Sequence, residues 1–225
     1  MKLNNKRKVT ALLIDLDDTL YLEHTYVLSG IEAVVDFICR EYLTLSRRDV
    51  LIKDLQYNFL KFGRKQLFNS IVEEAKGLQM QEIVTIYRQH TPKISLMSGI
   101  EEVLNKLSTR FQLALVTDGN SIMQKNKIKA LGIESHFNVI VCCDQLAAAK
   151  PDPRAFLEAA NQLKVDIEDC VIIGDDPFCD IAAADKLGVS SIRVMTGRYQ
   201  LMSSRDANSL FVNHFTEVLS HPLLV

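Results

Sequence analysis

The chain predicts an α/β fold, a doubly wound parallel sheet interrupted near its start by an all-helical insertion. Three observations carry this expectation. Short runs of Val, Ile and Leu recur without polar alternation, as strands covered on both faces require. From Pro92 onward these runs alternate with amphipathic helical stretches, the spacing of right-handed βαβ units. Between the first run and the next, from Tyr21 to about His90, apolar residues recur at helical spacing instead.

The first strand is read as Val9 to Leu16, and it delivers Asp15, Asp17 and Asp18 together, followed by Thr19. Carboxylates packed this densely repel one another, and a buried charge is costly unless paired. A bound divalent cation is the simplest remedy, because hard cations such as Mg²⁺ choose oxygen ligands. An acidic turn in solvent is the plainer alternative.

The helical block follows. Leu28, Ile31, Val34, Val35 and Ile38 mark one helix, and Val50, Leu51, Leu55, Phe59 and Leu60 mark a second, with Ser46 as its start signal. Gln81 to Arg88 continues the pattern, for roughly four helices in all. Tyr57, Phe59 and Phe62 are expected in the core, and Arg64 and Lys65 on a solvated charged face.

Beyond Pro92, Gly99 to Leu107 is helical and Phe111 to Val116 is a second strand, ending in Thr117-Asp118-Gly119-Asn120. A helix over Ser121 to Leu131 stops at Gly132, and Asn138 to Cys142 is a third strand. Asp152 is placed as an N-cap with Pro153 as the first helical residue, the helix running to about Leu163. Cys170 to Ile173 is a fourth strand ending in Gly174-Asp175-Asp176. A helix over Ile181 to Leu187 closes at Gly188, before a fifth strand, Ser191 to Val194.

Composition narrows the class. With 225 residues and a net charge of −2, the chain has no basic excess to neutralise nucleic-acid phosphates. No apolar run is long enough to span a bilayer, and Met1 to Lys8 lacks the apolar stretch of a signal peptide. Five cysteines without CxxC spacing fit reduced thiols rather than disulfides or zinc, and the location expected is cytoplasmic. A monomer or homodimer acting on a small molecule, with neither nucleic acid nor membrane as partner, is the expectation.

Asp15, Thr117, Lys150 and Asp175 all lie at or just beyond strand C-termini, where ligands bind in doubly wound sheets. Four polar signals spread over about 160 residues therefore converge on one crevice. Singly, each has a simpler reading. Thr117 could cap the next helix, Lys150 could be a solvated lysine, and Asp180 could complement a helix dipole.

Together the four resemble the haloacid dehalogenase (HAD) superfamily, in its phosphatase branch with a helical, C1-type cap inserted after the first motif. Asp15-Leu16-Asp17-Asp18-Thr19 matches the DxDxT motif, Thr117 the second motif, Lys150 of KPDP the third, and Gly174-Asp175 with Asp180 the GDxxxxD fourth. The resemblance implies a Rossmann-like core at residues 1–21 and 92–225 and a cap at 22–91. The cap would close as a lid and choose the substrate, hinged near Tyr21 to His24 and His90 to Ser95.

The resemblance also implies chemistry: a Mg²⁺-dependent phosphatase hydrolysing a small phosphomonoester through an aspartyl-phosphate. Asp15 is then the nucleophile, since a carboxylate can attack phosphorus. Asp17 returns to the same face of an extended segment and serves as acid and base. Thr117, Asp118, Gly119 and Lys150 bind the phosphoryl group, Lys150 as a point charge. Asp15, Asp175 and the Asp17 carbonyl hold Mg²⁺, with Asp180 supporting the site from behind and Asp176 either doing the same or sharing the metal with Asp175. A sugar-phosphate mutase would share every motif, and a binding or regulatory protein of the same fold is the third alternative. Three positions depart from the family pattern: Asp118 where Asn is common, Ala147 where Gly is common, and Asp176-Pro177-Phe178-Cys179 in the fourth motif.

Overall fold

The computed structural model describes residues 8–42, 47–65, 67–74, 77–202 and 210–225. The chain divides into two compact units: Met1–Glu23 with Ser95–Val225, and His24–Ile94.

The first unit is built on β1 (Ala11–Ile14), β2 (Gln112–Thr117), β3 (Val139–Cys142), β4 (Cys170–Gly174), β5 (Ser190–Val194) and β6 (Leu210–Val212). They form one sheet in the order β3-β2-β1-β4-β5-β6, with every pairing parallel. β1 and β4 are buried along their whole length, which explains their unbroken apolar sequences. The chain order reverses between β1 and β4, and that is where such sheets open a crevice.

Helices α5 (Ile100–Ser108), α6 (Ser121–Leu131), α7 (Arg154–Leu163) and α8 (Ala182–Leu187) connect the strands. α7 presents Ala155, Phe156, Ala159, Ala160 and Leu163 to Leu13, Ala114, Val116 and Ile172 of the sheet. The small alanines let the helix axis come close while Phe156 and Leu163 fill the remaining volume.

The second unit consists of α1 (Glu23–Glu41), α2 (Arg48–Phe62), α3 (Asn69–Glu74) and α4 (Met80–Gln89). Val27, Ile31, Val34, Val35 and Ile38 of α1 meet Leu51, Leu55, Ile71 and Ile83 in its core.

Three expectations change. Tyr57 and Phe62 are 60% and 61% exposed, not core. The buried stripe of α2 runs through Leu51 and Leu55, and helical spacing alone does not say which face is inward. Both exposed rings lie beneath Lys61, at 5.7 and 5.0 Å from its ammonium. β6 is an additional short strand, too short and too exposed to show as an apolar run. Asp152 is not the N-cap: the helix begins one residue later than expected, at Arg154, with Pro153 in the cap position, and the Asp152 carboxylate accepts from the Arg154 N–H at 3.0 Å just ahead of it. Ser46 and Met1 to Arg7 lie outside the described residues. All five cysteines are free thiols, and no helix among the described residues is long and apolar enough to cross a membrane.

Candidate active site

The last row shared by the three central strands is Ile14 with Leu115 and Ile173. Asp15 is one residue past it, and Thr117 and Asp175 are two. The sheet therefore sets three of the expected residues side by side at its C-terminal edge. Asp15 is pinned there by its own N–H, which donates to Ile173 at 2.9 Å.

Lys150 enters from the loop between β3 and α7. Its ammonium lies 2.6 Å from Asp15 Oδ1 and 2.7 Å from Asp180 Oδ1, with all three side chains buried. Thr19 donates to the other Asp15 oxygen at 3.2 Å. The Lys150 N–H points at both Asp118 oxygens, each at 3.2 Å. The unusual second-motif carboxylate is thus spent on holding the lysine loop. Ala147 in that loop takes the left-handed conformation at φ 47°, so the Ala found in place of Gly keeps a glycine-like backbone.

Asp180 reaches Lys150 because Gly174 has no side chain. A Cβ at Gly174 would collide with the Asp180 carboxylate. Asp180 sits on a single π-helical turn, Pro177–Ile181, whose start is capped by Asp176 accepting from the Phe178 N–H at 2.8 Å. Asp176 also meets Arg198 at 3.3 Å. Behind the site, buried Arg193 donates to the backbone carbonyls of Asp175, Tyr199 and Met202 at 3.2, 2.8 and 2.9 Å.

Asp17 is held differently. Lys127 donates to both of its oxygens, at 2.7 and 3.0 Å, the Gln124 amide donates to Oδ2 at 2.9 Å, and the Tyr21 hydroxyl donates to Oδ1. Gln124 Nε2 also donates to the Thr117 hydroxyl. The cap of α6 is Asn120, whose side chain accepts from Met123 N–H at 3.4 Å, so Thr117 does not fill that position.

The electrostatics follow from burial and charge. Burial, with the like charges of Asp180 and Asp17, pushes Asp15 up to about 8 in spite of Lys150. Burial and then the charges of Asp15 and Asp180 push Asp175 up to about 9. Asp180 is raised by burial too, against the pull of Lys150. Burial opposes the Lys150 charge, but Asp15 and Asp180 outweigh it and hold the ammonium protonated well above its usual range. At Asp17 burial opposes ionisation, yet Lys127, Tyr21 and Gln124 prevail and hold the carboxyl below the usual range.

Asp15, Asp175 and Asp180 each offer an oxygen within 4.8 Å of the others, and all three are buried. Three buried acids around a single lysine can all ionise only when further positive charge is placed beside them. An oxygen-only acidic set of this kind fits a hard dication.

The expected residues therefore separate into three groups. Asp15, Lys150, Asp175 and Asp180 are brought together. Asp17 and Thr117 are joined through Gln124, while Asp118 serves the lysine loop and Asp176 the fourth-motif turn. Gln124, Lys127, Tyr21, Arg193 and Arg198 were not anticipated. One signal was available for the first two: Gln124, Lys127, Ile128 and Leu131 recur at helical spacing, but polar members of such a stripe read as solvent-facing.

Residues 12–194 match the haloacid dehalogenase-like hydrolase family. The chain belongs to that family. Among its relatives are the glyceraldehyde 3-phosphate phosphatases of Methanopyrus kandleri and Methanocaldococcus jannaschii. The first is 28% identical over 88% of this chain and 89% of its own; the second is 25% identical over 94% and 96%. The solved structure of YfnB from Bacillus subtilis, bound to magnesium, matches 95% of this chain and 98% of its own at a TM-score of 0.67. At 18% identity that likeness to another haloacid dehalogenase-like protein speaks for the fold alone.

Proposed function

We propose that this haloacid dehalogenase-like hydrolase is a Mg²⁺-dependent phosphatase that hydrolyses a small phosphomonoester through an aspartyl-phosphate on Asp15. The observation that carries the reading is Lys150 bridging Asp15 and Asp180 at the sheet's switch point, beside Asp175. The phosphatase names of the relatives support the class of ester.

Phosphoryl transfer asks a protein for position and charge more than for covalent ingenuity. An Asp15 oxygen attacks phosphorus as the bond from phosphorus to the ester oxygen breaks. Asp17 gives a proton to the departing oxygen. Water then attacks the phosphorus, Asp17 takes its proton, the bond to Asp15 breaks, and orthophosphate leaves. Thr117 donates its hydroxyl to a phosphoryl oxygen, with the Asp118 and Gly119 backbone alongside, and the Lys150 ammonium offsets charge on the phosphoryl group.

Asp17 is held ionised in the free protein; a phosphate dianion beside it raises its affinity for the proton it must carry. Asp15 and Asp175, with the Asp17 carbonyl and Asp180 as a further oxygen donor, would hold Mg²⁺. When bound, the ion neutralises the acids and withdraws charge from the phosphoryl oxygens. We assign the choice of ester to the helical unit, and five free thiols suit a reducing cytoplasm.

The test is phosphate release from glyceraldehyde 3-phosphate and a panel of phosphorylated metabolites, with Mg²⁺ and after chelation. Mg²⁺-dependent release is the expected result, and full turnover after exhaustive chelation would refute the reading. Isomer formation without net release would identify a mutase instead.

A further inference from the structure

The proposed chemistry leaves two buried polar side chains on α6 without a purpose. Gln124 and Lys127 are three residues apart and share a helix face, and that face is inward: their exposures are 0% and 1%. Lysine is almost never buried so completely unless paired. Its ammonium donates to both oxygens of Asp17. Gln124 divides its amide nitrogen between Asp17 and Thr117, while its Oε1 is buried with no hydrogen-bond partner among the described residues.

An orphaned buried oxygen costs about 1–3 kcal/mol. A leucine or methionine of similar size would avoid that cost. Turning the amide over gives no relief, because the oxygen would then face the Asp17 carboxylate. The helix thus bears a local instability for no gain in packing, and such violations concentrate where function demands them.

We infer that Gln124 and Lys127 are positioning residues for proton transfer, fixing the Asp17 carboxylate and, through Gln124, the Thr117 hydroxyl in register with Asp15. The inference rests on the reading of Asp17 as the group that protonates the departing oxygen. Three side chains grip the two oxygens of Asp17: Lys127 holds both, Tyr21 one and Gln124 the other. One amide nitrogen ties the proton carrier to a phosphoryl-binding hydroxyl. A displacement of about 1 Å at such a point can cost up to about 10²-fold in rate.

The experiment compares Asp17→Asn, Lys127→Met and Gln124→Met in the full chain with Mg²⁺. The two esters are 4-nitrophenyl phosphate, whose leaving group needs little acid, and glyceraldehyde 3-phosphate, whose alkoxide does need it. Lys127→Met and Gln124→Met are expected to lower kcat on the alkyl ester by about 10–100-fold, and much less on the aryl ester, with KM little changed. Should Lys127→Met fail to fold, Gln124→Met decides alone.

Equal losses on both esters, or none, while Asp17→Asn still discriminates between them, would overturn the inference and leave the function reading standing. If Asp17→Asn itself fails to discriminate, the role given to Asp17 is wrong and the inference falls with it.

Discussion

Lys150 Nζ stands 2.6 Å from Oδ1 of Asp15, and both groups are buried. The pair is one edge of a lopsided cluster, because Asp180 and Asp175 add two more acids around the same cation. Pairing one lysine with three carboxylates makes sense where further positive charge arrives with a ligand.

The first prediction concerns this pair. Asp15→Asn is expected to abolish turnover with the fold intact, since it removes the oxygen proposed to attack phosphorus without changing shape. Lys150→Met is expected to lower kcat by about 10²–10³-fold, the range for losing one well-placed electrostatic partner. Steady-state assays with circular dichroism as the folding control check both, and a kinetically silent Lys150→Met would refute the third-motif assignment.

A second prediction follows from Gly174. Its missing side chain is what admits the Asp180 carboxylate to Lys150. Gly174→Ala is expected to cost about 1–3 kcal/mol, as overpacking does, and to weaken Mg²⁺ activation by displacing Asp180. Denaturant unfolding and a Mg²⁺ titration of activity measure the two parts. A variant with wild-type stability would show that the turn carrying Asp180 yields freely.

Much of this arrangement was legible in the chain because central parallel strands must be apolar on both faces. β1, β2 and β4 therefore announce themselves, and the acids at their ends stand out. β6 did not, since an edge strand of three residues with Leu210 and Phe211 exposed has no such signature. Lys127 was illegible for another reason. Whether a lysine is buried depends on a partner distant in sequence, here 110 residues away at Asp17, and no local pattern carries that information. Tyr57 and Phe62 failed similarly, because periodicity identifies a stripe without saying what covers it.

The third prediction is a pH dependence of stability. Asp15 at about 8 and Asp175 at about 9 stay protonated in the folded metal-free protein at pH values where the unfolded chain, near 3.8, has released its protons. The folded state then binds more protons, so stability falls as pH rises through this window. Asp17 acts oppositely, its carboxyl being lowered, but its contribution is lost only as pH falls below the ordinary aspartate range. Thermal midpoints of the chelated protein are therefore expected to drop as pH rises from just above the ordinary carboxylate range, levelling off once it passes about 8 to about 9. On the proposed reading Mg²⁺ would bind the ionised acids of the folded state only, so it is expected to raise the midpoint more at the alkaline end. A midpoint that is flat in pH and indifferent to Mg²⁺ would count against the acidic cluster as a cation site.

The last prediction separates the two chemistries that a haloacid dehalogenase-like hydrolase brings to mind. Displacing halide from carbon leaves an anion that needs no proton, so a dehalogenase has no use for a second acid two residues after its nucleophile. Releasing an alcohol from a phosphomonoester creates an alkoxide, which does need one. This chain keeps Asp17 and surrounds it with Lys127, Gln124 and Tyr21, an investment without purpose in dehalogenation. It also keeps Asp175 and Asp180 beside Asp15, a cluster suited to a cation that carbon–halogen displacement does not require. Phosphomonoester hydrolysis without dehalogenation of 2-haloacids is therefore expected. Asp17→Asn is expected to lower kcat on alkyl phosphates by about 10²–10⁴-fold, the range for lost general acid–base catalysis. Halide release from 2-chloropropionate, measured against phosphate release from glyceraldehyde 3-phosphate, provides the comparison. Comparable rates on the two substrates, with the halide reaction untouched by Asp17→Asn, would show that the crevice serves displacement at carbon and that the proton carrier was misassigned.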